Sequence, residues 1–155
     1  IFGWGPPLYV KETHMYKITK KFEDFLGKDQ EESFRFNISE PEMIDLVRDD
    51  PTFNPDYLLY LAKEPDGLKL LDVIRKIIVV SYGELSDDGK HFWKDDARTT
   101  AFVQSKAFEE ILGDFIDYEH HPNLLRDFIV GIFPKKYKEA RANSANNPAI
   151  IPVKE

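Results

Sequence analysis

The chain has 155 residues, 42% of them hydrophobic and 14% aromatic, with 12 Phe, which is enough apolar area for one ring-rich core. Its net charge of −7 and pI near 5.2 weigh against DNA, RNA or an anionic membrane as partner, because neutralising phosphates needs a basic surface. It has no cysteine, which excludes disulfides, thiolate metal sites and a Cys nucleophile, and its longest apolar run, Ile77-Ile78-Val79-Val80, is far short of the roughly 20 residues of a membrane-spanning helix.

The sequence opens on Ile1, and His14-Met15 is the dipeptide that a common cloning site leaves. Residues 1–14 are therefore expected to be a cloning remnant or an extension, with Met15 the natural start. Residues 15–137 are expected to form a single α+β domain and residues 138–155 a flexible tail, since Asn143 to Pro148 offer little to bury.

From Met15 the pattern alternates. Tyr16, Ile18 and Phe22 fall on one side; Phe34, Phe36 and Ile38 repeat the alternation after a turn placed at Gly27-Lys28-Asp29-Gln30. Two such runs predict a β-hairpin with one apolar face, which must dock on helices or on another copy. Ser39-Glu40-Pro41-Glu42 is a capping-box helix start, followed by Met43, Leu46 and Val47 and stopped at Asp50-Pro51. Asn54-Pro55 opens a second short helix with Tyr57, Leu58 and Leu61 inward. Leu68 to Tyr82 carries a wide apolar face and reads as a central helix capped by Gly83, although the β-branched run Ile77 to Val80 would also suit a strand.

Ser86-Asp87-Asp88-Gly89 is turn chemistry, and Lys90-His91-Phe92-Trp93 is a short extended piece. Asp95 or Asp96 caps one helix running through Phe102, Ser105, Phe108, Ile111, Leu112 and Phe115. Tyr118 to His121 form a loop, and Pro122 opens a last helix with Leu125, Phe128, Ile129 and Ile132, ending at Pro134. The sum is an α+β fold: an N-terminal β-hairpin followed by a bundle of four or five helices.

Few residues suggest bond-making chemistry. Glu119-His120-His121, with His91 or Asp117, would give a metal too few converging ligands at the wrong spacing, so a solvated loop is the plainer reading. Asp87, Asp88, Asp95 and Asp96 bracket Trp93 but lack calcium-loop spacing and read as turn and cap residues. Ser81, Ser86 and Ser105 stand outside any nucleophile elbow, and the glycines are scattered. No cofactor or enzymatic activity is expected. Phe92 and Trp93, beside Lys90 and Lys94, form either a partner-binding patch or a lid on the core. Phe34 and Phe36 on the hairpin face and Lys135, Lys136 and Tyr137 near the end complete the candidate partner-binding residues.

Several segments in order carry a resemblance: Met15-Tyr16-Lys17-Ile18-Thr19; Phe34-Arg35-Phe36-Asn37-Ile38-Ser39; Val80-Ser81-Tyr82-Gly83-Glu84; Ser86-Asp87-Asp88-Gly89-Lys90-His91-Phe92-Trp93-Lys94; Phe102-Val103-Gln104-Ser105-Lys106-Ala107-Phe108; and Phe128-Ile129-Val130-Gly131-Ile132-Phe133-Pro134-Lys135. From Met15 to about Lys136 the chain resembles the tail assembly chaperones of siphophages. The stretch from Pro51 to Pro65 is longer than that pattern, and the tail is richer in Asn.

The resemblance implies a protein that binds the long, helical, aggregation-prone tape measure protein until tail tube proteins displace it. It implies action in the host cell cytoplasm and absence from the mature virion. Many relatives also make a longer form by frameshifting, and Pro134-Lys135-Lys136 is compatible with an A-rich slippery run. Self-association through the hairpin face or edge would add avidity along such a client. The competing expectation is another non-catalytic binding module, such as an immunity protein or host-enzyme inhibitor whose acidic face plugs a basic site.

Overall fold

The computed structural model describes residues 15–63 and 67–134. The expected extension at 1–14 and tail at 138–155 lie outside the described residues. Strands β1 (Tyr16–Glu23) and β2 (Asp29–Phe36) form the expected hairpin. Then come α1 (Glu40–Asp49), a 3-10 turn (Pro51–Phe53), α2 (Pro55–Lys63) and α3 (Gly67–Ser81). Strands β3 (Tyr82–Leu85) and β4 (Phe92–Trp93) follow, and α4 (Asp96–Val103), α5 (Lys106–Ile116) and α6 (Leu124–Ile132) complete the fold. The class is α+β, and the sheet is antiparallel in the order β1-β2-β3-β4.

Local chemistry places most boundaries. The Ser39 capping box forms in both directions, with Glu42 N donating to Ser39 Oγ at 3.3 Å and Ser39 N donating to Glu42 Oε1 at 2.8 Å. Asn54 Oδ1 accepts from Asp56 N at 2.8 Å and starts α2. Helix α3 ends where the buried Ser81 hydroxyl turns back to Ile77 O at 2.6 Å.

Four expectations are corrected. The hairpin turn spans Asp24 to Lys28, two to three residues before the expected Gly27 to Gln30, because Asp24 organises it. Gly83 is not a helix cap: it lies in β3, where an added Cβ would sit 2.7 Å from the Phe92 ring. The helix expected from Asp95 to Phe115 is two helices, because the Ser105 hydroxyl donates to Phe102 O at 2.6 Å and accepts from Phe108 N at 3.1 Å, closing one and capping the next. Pro122 precedes α6, which starts at Leu124 after the turn held by His121 N to Asp117 O at 2.9 Å.

The inner face of the sheet lies on the helices, and rings fill the seam. Phe36 is 0% exposed, with its ring 5.4 Å from Phe128 and 6.0 Å from both Phe102 and Tyr82. Tyr82 stacks on Phe102 at 4.0 Å, and Phe128 also meets Tyr16 and Phe115 edge-on. Lys20 ties β1 to α5 through Asp114 at 2.6 Å. No helix of the described residues is long and apolar enough to cross a membrane.

Candidate functional site

The hairpin tip is built to hold apolar side chains in water. The Asp24 carboxylate accepts from Leu26 N and Lys28 N, both at 2.9 Å, and from Gln30 Nε2 at 2.8 Å. Gly27 takes φ +84°, which an L side chain rarely adopts, and its N–H closes the turn on Asp24 O at 2.9 Å. The hydrogen bond from Gln30, then those from Lys28 and Leu26, hold the Asp24 carboxyl below the usual carboxylate range. The turn therefore presents Phe25, 68% exposed, and Leu26, 83% exposed, in a fixed geometry. The Lys106 ammonium lies 5.8 Å from the Phe25 ring. Below the tip an open, charged concavity of about 570 Å³ is lined by Lys21, Phe22, Glu23, Asp29, Gln30 and Glu31.

A second exposed group sits on the β3–β4 hairpin. Trp93 is 41% exposed, with the His91 ring parallel at 5.9 Å and the Arg98 guanidinium 4.8 Å from its own ring. Arg98 donates to Glu84 at 2.8 Å and also pairs with Asp95, so the cation over the indole is itself pinned. A third group, Tyr57 and Tyr60 on α2, stacks at 6.2 Å on the outer face of that helix.

Of the residues singled out in the sequence, Trp93 lies on the surface. Phe92 is half-buried against Gly83, with Lys94 5.7 Å from its ring, and Phe34 is half-buried 5.3 Å from Phe102. Phe36 is wholly in the core and offers no surface. Lys135, Lys136 and Tyr137 lie outside the described residues. Lys94, read as a neighbour of the aromatic pair, is instead a clasp: its Nζ donates to Asn37 O at 2.7 Å, Val80 O at 3.0 Å and both Glu42 oxygens.

Sequence reasoning missed Phe25, Leu26 and the Tyr57–Tyr60 pair. The signal for the first was present, since two large apolar residues stood inside a turn, between Asp24 and Gly27. For the tyrosines, Tyr57 was assigned inward, whereas Leu58 and Leu59 take the core positions.

Among the described residues no group of three or more His, Asp or Glu side chains is placed to hold a metal. His120 instead meets Asp117 at 3.0 Å, and His121 lies 3.8 Å from Asp114. The arrangement offers exposed aromatic and aliphatic anchors on rigid turns, which suits contact with another protein.

A family model described as phage tail assembly chaperone matches residues 15–152. The match runs past the span from Met15 to about Lys136 on which the resemblance rested. No curated protein and no solved structure gives a significant match.

Proposed function

The chain belongs to the phage tail assembly chaperone family, and from that membership we propose that it binds and solubilises the tape measure protein and hands it to tail tube subunits. The observation that carries the proposal is the family match over residues 15–152, and the exposed Phe25–Leu26 tip supports it. A long apolar helical client needs apolar anchors that do not collapse into the chaperone's own core. The Asp24 turn meets that need by fixing its two side chains outward.

In this reading the protein performs no catalysis of its own and takes no cofactor. It acts in the host cytoplasm during assembly and is released before the mature virion forms. The acidic charge of −7 keeps the loaded client from aggregating.

Co-expression with the tape measure gene tests the proposal. The tape measure protein should move to the soluble fraction and co-purify with this chain, and added tail tube protein should displace it. A tape measure protein that stays insoluble at matched expression refutes the reading.

A further inference from the structure

We infer that the tip of the β1–β2 hairpin docks an amphipathic helix whose apolar stripe is flanked by Lys or Arg. The inference rests on the client reading above and narrows it to one surface and one class of client segment. The apolar half of the surface is Phe25 and Leu26, held in water by the Asp24 turn. The charge beside them decides what covers them.

Residues 21–31 hold Glu23, Asp24, Asp29 and Glu31 against Lys21 and Lys28. Asp24 is taken up by the turn. Glu23 and Asp29 stand directly opposite each other in the last rung before it, on the face that also carries Lys21 and Glu31. Like charges placed that way weaken a hairpin, and the nearby pairs Lys21–Glu31 and Lys20–Glu32 avoid it. Among the described residues neither the Glu23 nor the Asp29 carboxylate has a hydrogen-bond or ion-pair partner. Both line the open concavity below the tip. The Lys106 ammonium near the Phe25 ring is already paired with Glu109 at 3.2 Å.

A ligand that lays an apolar stripe on Phe25 and Leu26 and sends an ammonium or guanidinium into the concavity satisfies both halves at once. Its cation offsets the repulsion between the two carboxylates, whereas an acidic ligand adds to it. A helix supplies that arrangement with an apolar residue and a base three or four positions apart.

Two helical peptide probes test this, each with the same leucine stripe, one flanked by lysines and the other by glutamates. Titrated into the full chain at low salt, the lysine probe should bind about ten-fold more tightly than the glutamate probe, and the gap should shrink as salt is raised. The amide shifts it causes should centre on residues 21–31. Glu23→Gln with Asp29→Asn should close the gap, while Asp45→Asn with Asp49→Asn on α1 removes the same charge and should leave it open. The first pair also relieves the opposed carboxylates, so its urea midpoint should equal or exceed that of wild type, which separates lost binding from lost folding. Phe25→Ser with Leu26→Ser should weaken both probes.

Equal binding of the two probes, or none, overturns the inference. So does a gap that survives Glu23→Gln with Asp29→Asn, a gap that closes equally in Asp45→Asn with Asp49→Asn, or shifts centred elsewhere on the chain. A chain that shows the preference yet leaves the tape measure protein insoluble refutes the client reading alone. A chain that keeps the tape measure protein soluble without the preference overturns the tip's charge selectivity alone.

Discussion

Replacing Lys94 with Met should destabilise the fold by about 2–3 kcal/mol. The Lys94 ammonium, 18% exposed, is the point where three chain segments meet: Asn37 after β2, Glu42 in the first turn of α1, and Val80 near the end of α3. Methionine keeps the side-chain length over Phe92 but leaves two backbone carbonyls and one carboxylate without their donor. A hydrogen bond to a charged group is worth roughly 1.5–3 kcal/mol, and a stranded acceptor costs a similar amount.

Two features hold the total to that range. Glu42 is 42% exposed, so water recovers part of its loss, and it keeps the Ser39 N–H. Burial also lowers the Lys94 pKa despite Glu42, so the charged lysine is itself costly to the fold and its linkage favours the fold as pH rises toward the ordinary lysine value. Glu42 runs the other way: burial raises its carboxyl, but the Ser39 N–H and Lys94 outweigh that and hold it low. Its contribution is therefore present above the ordinary Glu pKa of about 4.3 and lost as pH falls through its depressed value.

Urea unfolding followed by circular dichroism reads the effect. With a slope of roughly 1.5–2 kcal/mol per M the midpoint should fall by about 1–2 M. Glu42→Gln should add little on top of Lys94→Met, because the two residues are partners in the same ion pair. A loss under about 0.5 kcal/mol, or fully additive variants, would refute the clasp.

Gly83→Ala should cost about 1–3 kcal/mol in the same assay, because its Cβ meets the Phe92 ring at 2.7 Å; an unchanged midpoint would show that the ring moves freely. Phe36→Ala should cost about 3–5 kcal/mol, while Trp93→Ala should stay within about 1.5 kcal/mol, and a reversed order would contradict the assignment of one to the core and the other to the surface. Hydrogen bonds hold the carboxyls of Asp24, Asp50, Asp88, Asp95 and Asp117 low, so the stability they supply is present above about pH 4 and lost as pH falls through their depressed values; urea midpoints that rise on acidification would be the wrong sign. Phe25→Ser with Leu26→Ser should leave the unfolding free energy within about 0.5 kcal/mol of wild type yet reduce tape measure rescue, and rescue at the wild-type level would remove the tip from the client surface.

Those outcomes also separate what the sequence made legible from what it hid. The hairpin strands, the Ser39 box, the Ser86–Gly89 turn and the central helix were readable because each is a local pattern: alternation, a cap at fixed spacing, a turn glycine, a wide apolar stripe. Strand β3 was hidden. Tyr82 to Leu85 alternate too briefly to announce a strand, and they become one because Arg35 and Phe36 pair with their first half and Phe92 and Trp93 with their second. Gly83 looked like a cap for the same reason, since a ring arriving from Phe92 leaves no local trace. Ser105 could have been read as an N-cap, but the apolar period continues across the break and masked it. Phe34 and Phe36 show the limit for the site: alternation says that a face is apolar but not whether helices already cover it, and here Phe102 and Phe128 do.

That coverage bears on the exposed residues. The interior is already closed by Phe36, Phe102, Phe108, Phe115, Phe128 and Phe133, all buried and most in ring-to-ring contact. Phe25 and Leu26 are therefore not surplus core waiting for space. Leaving them in water forgoes about 2 kcal/mol each relative to burial, and the turn that holds them spends an aspartate, a glutamine and a left-handed glycine on doing so. A sequence under no constraint but folding would place polar residues at such a tip. Their retention in a rigid, outward geometry makes sense where burial is completed by a second protein.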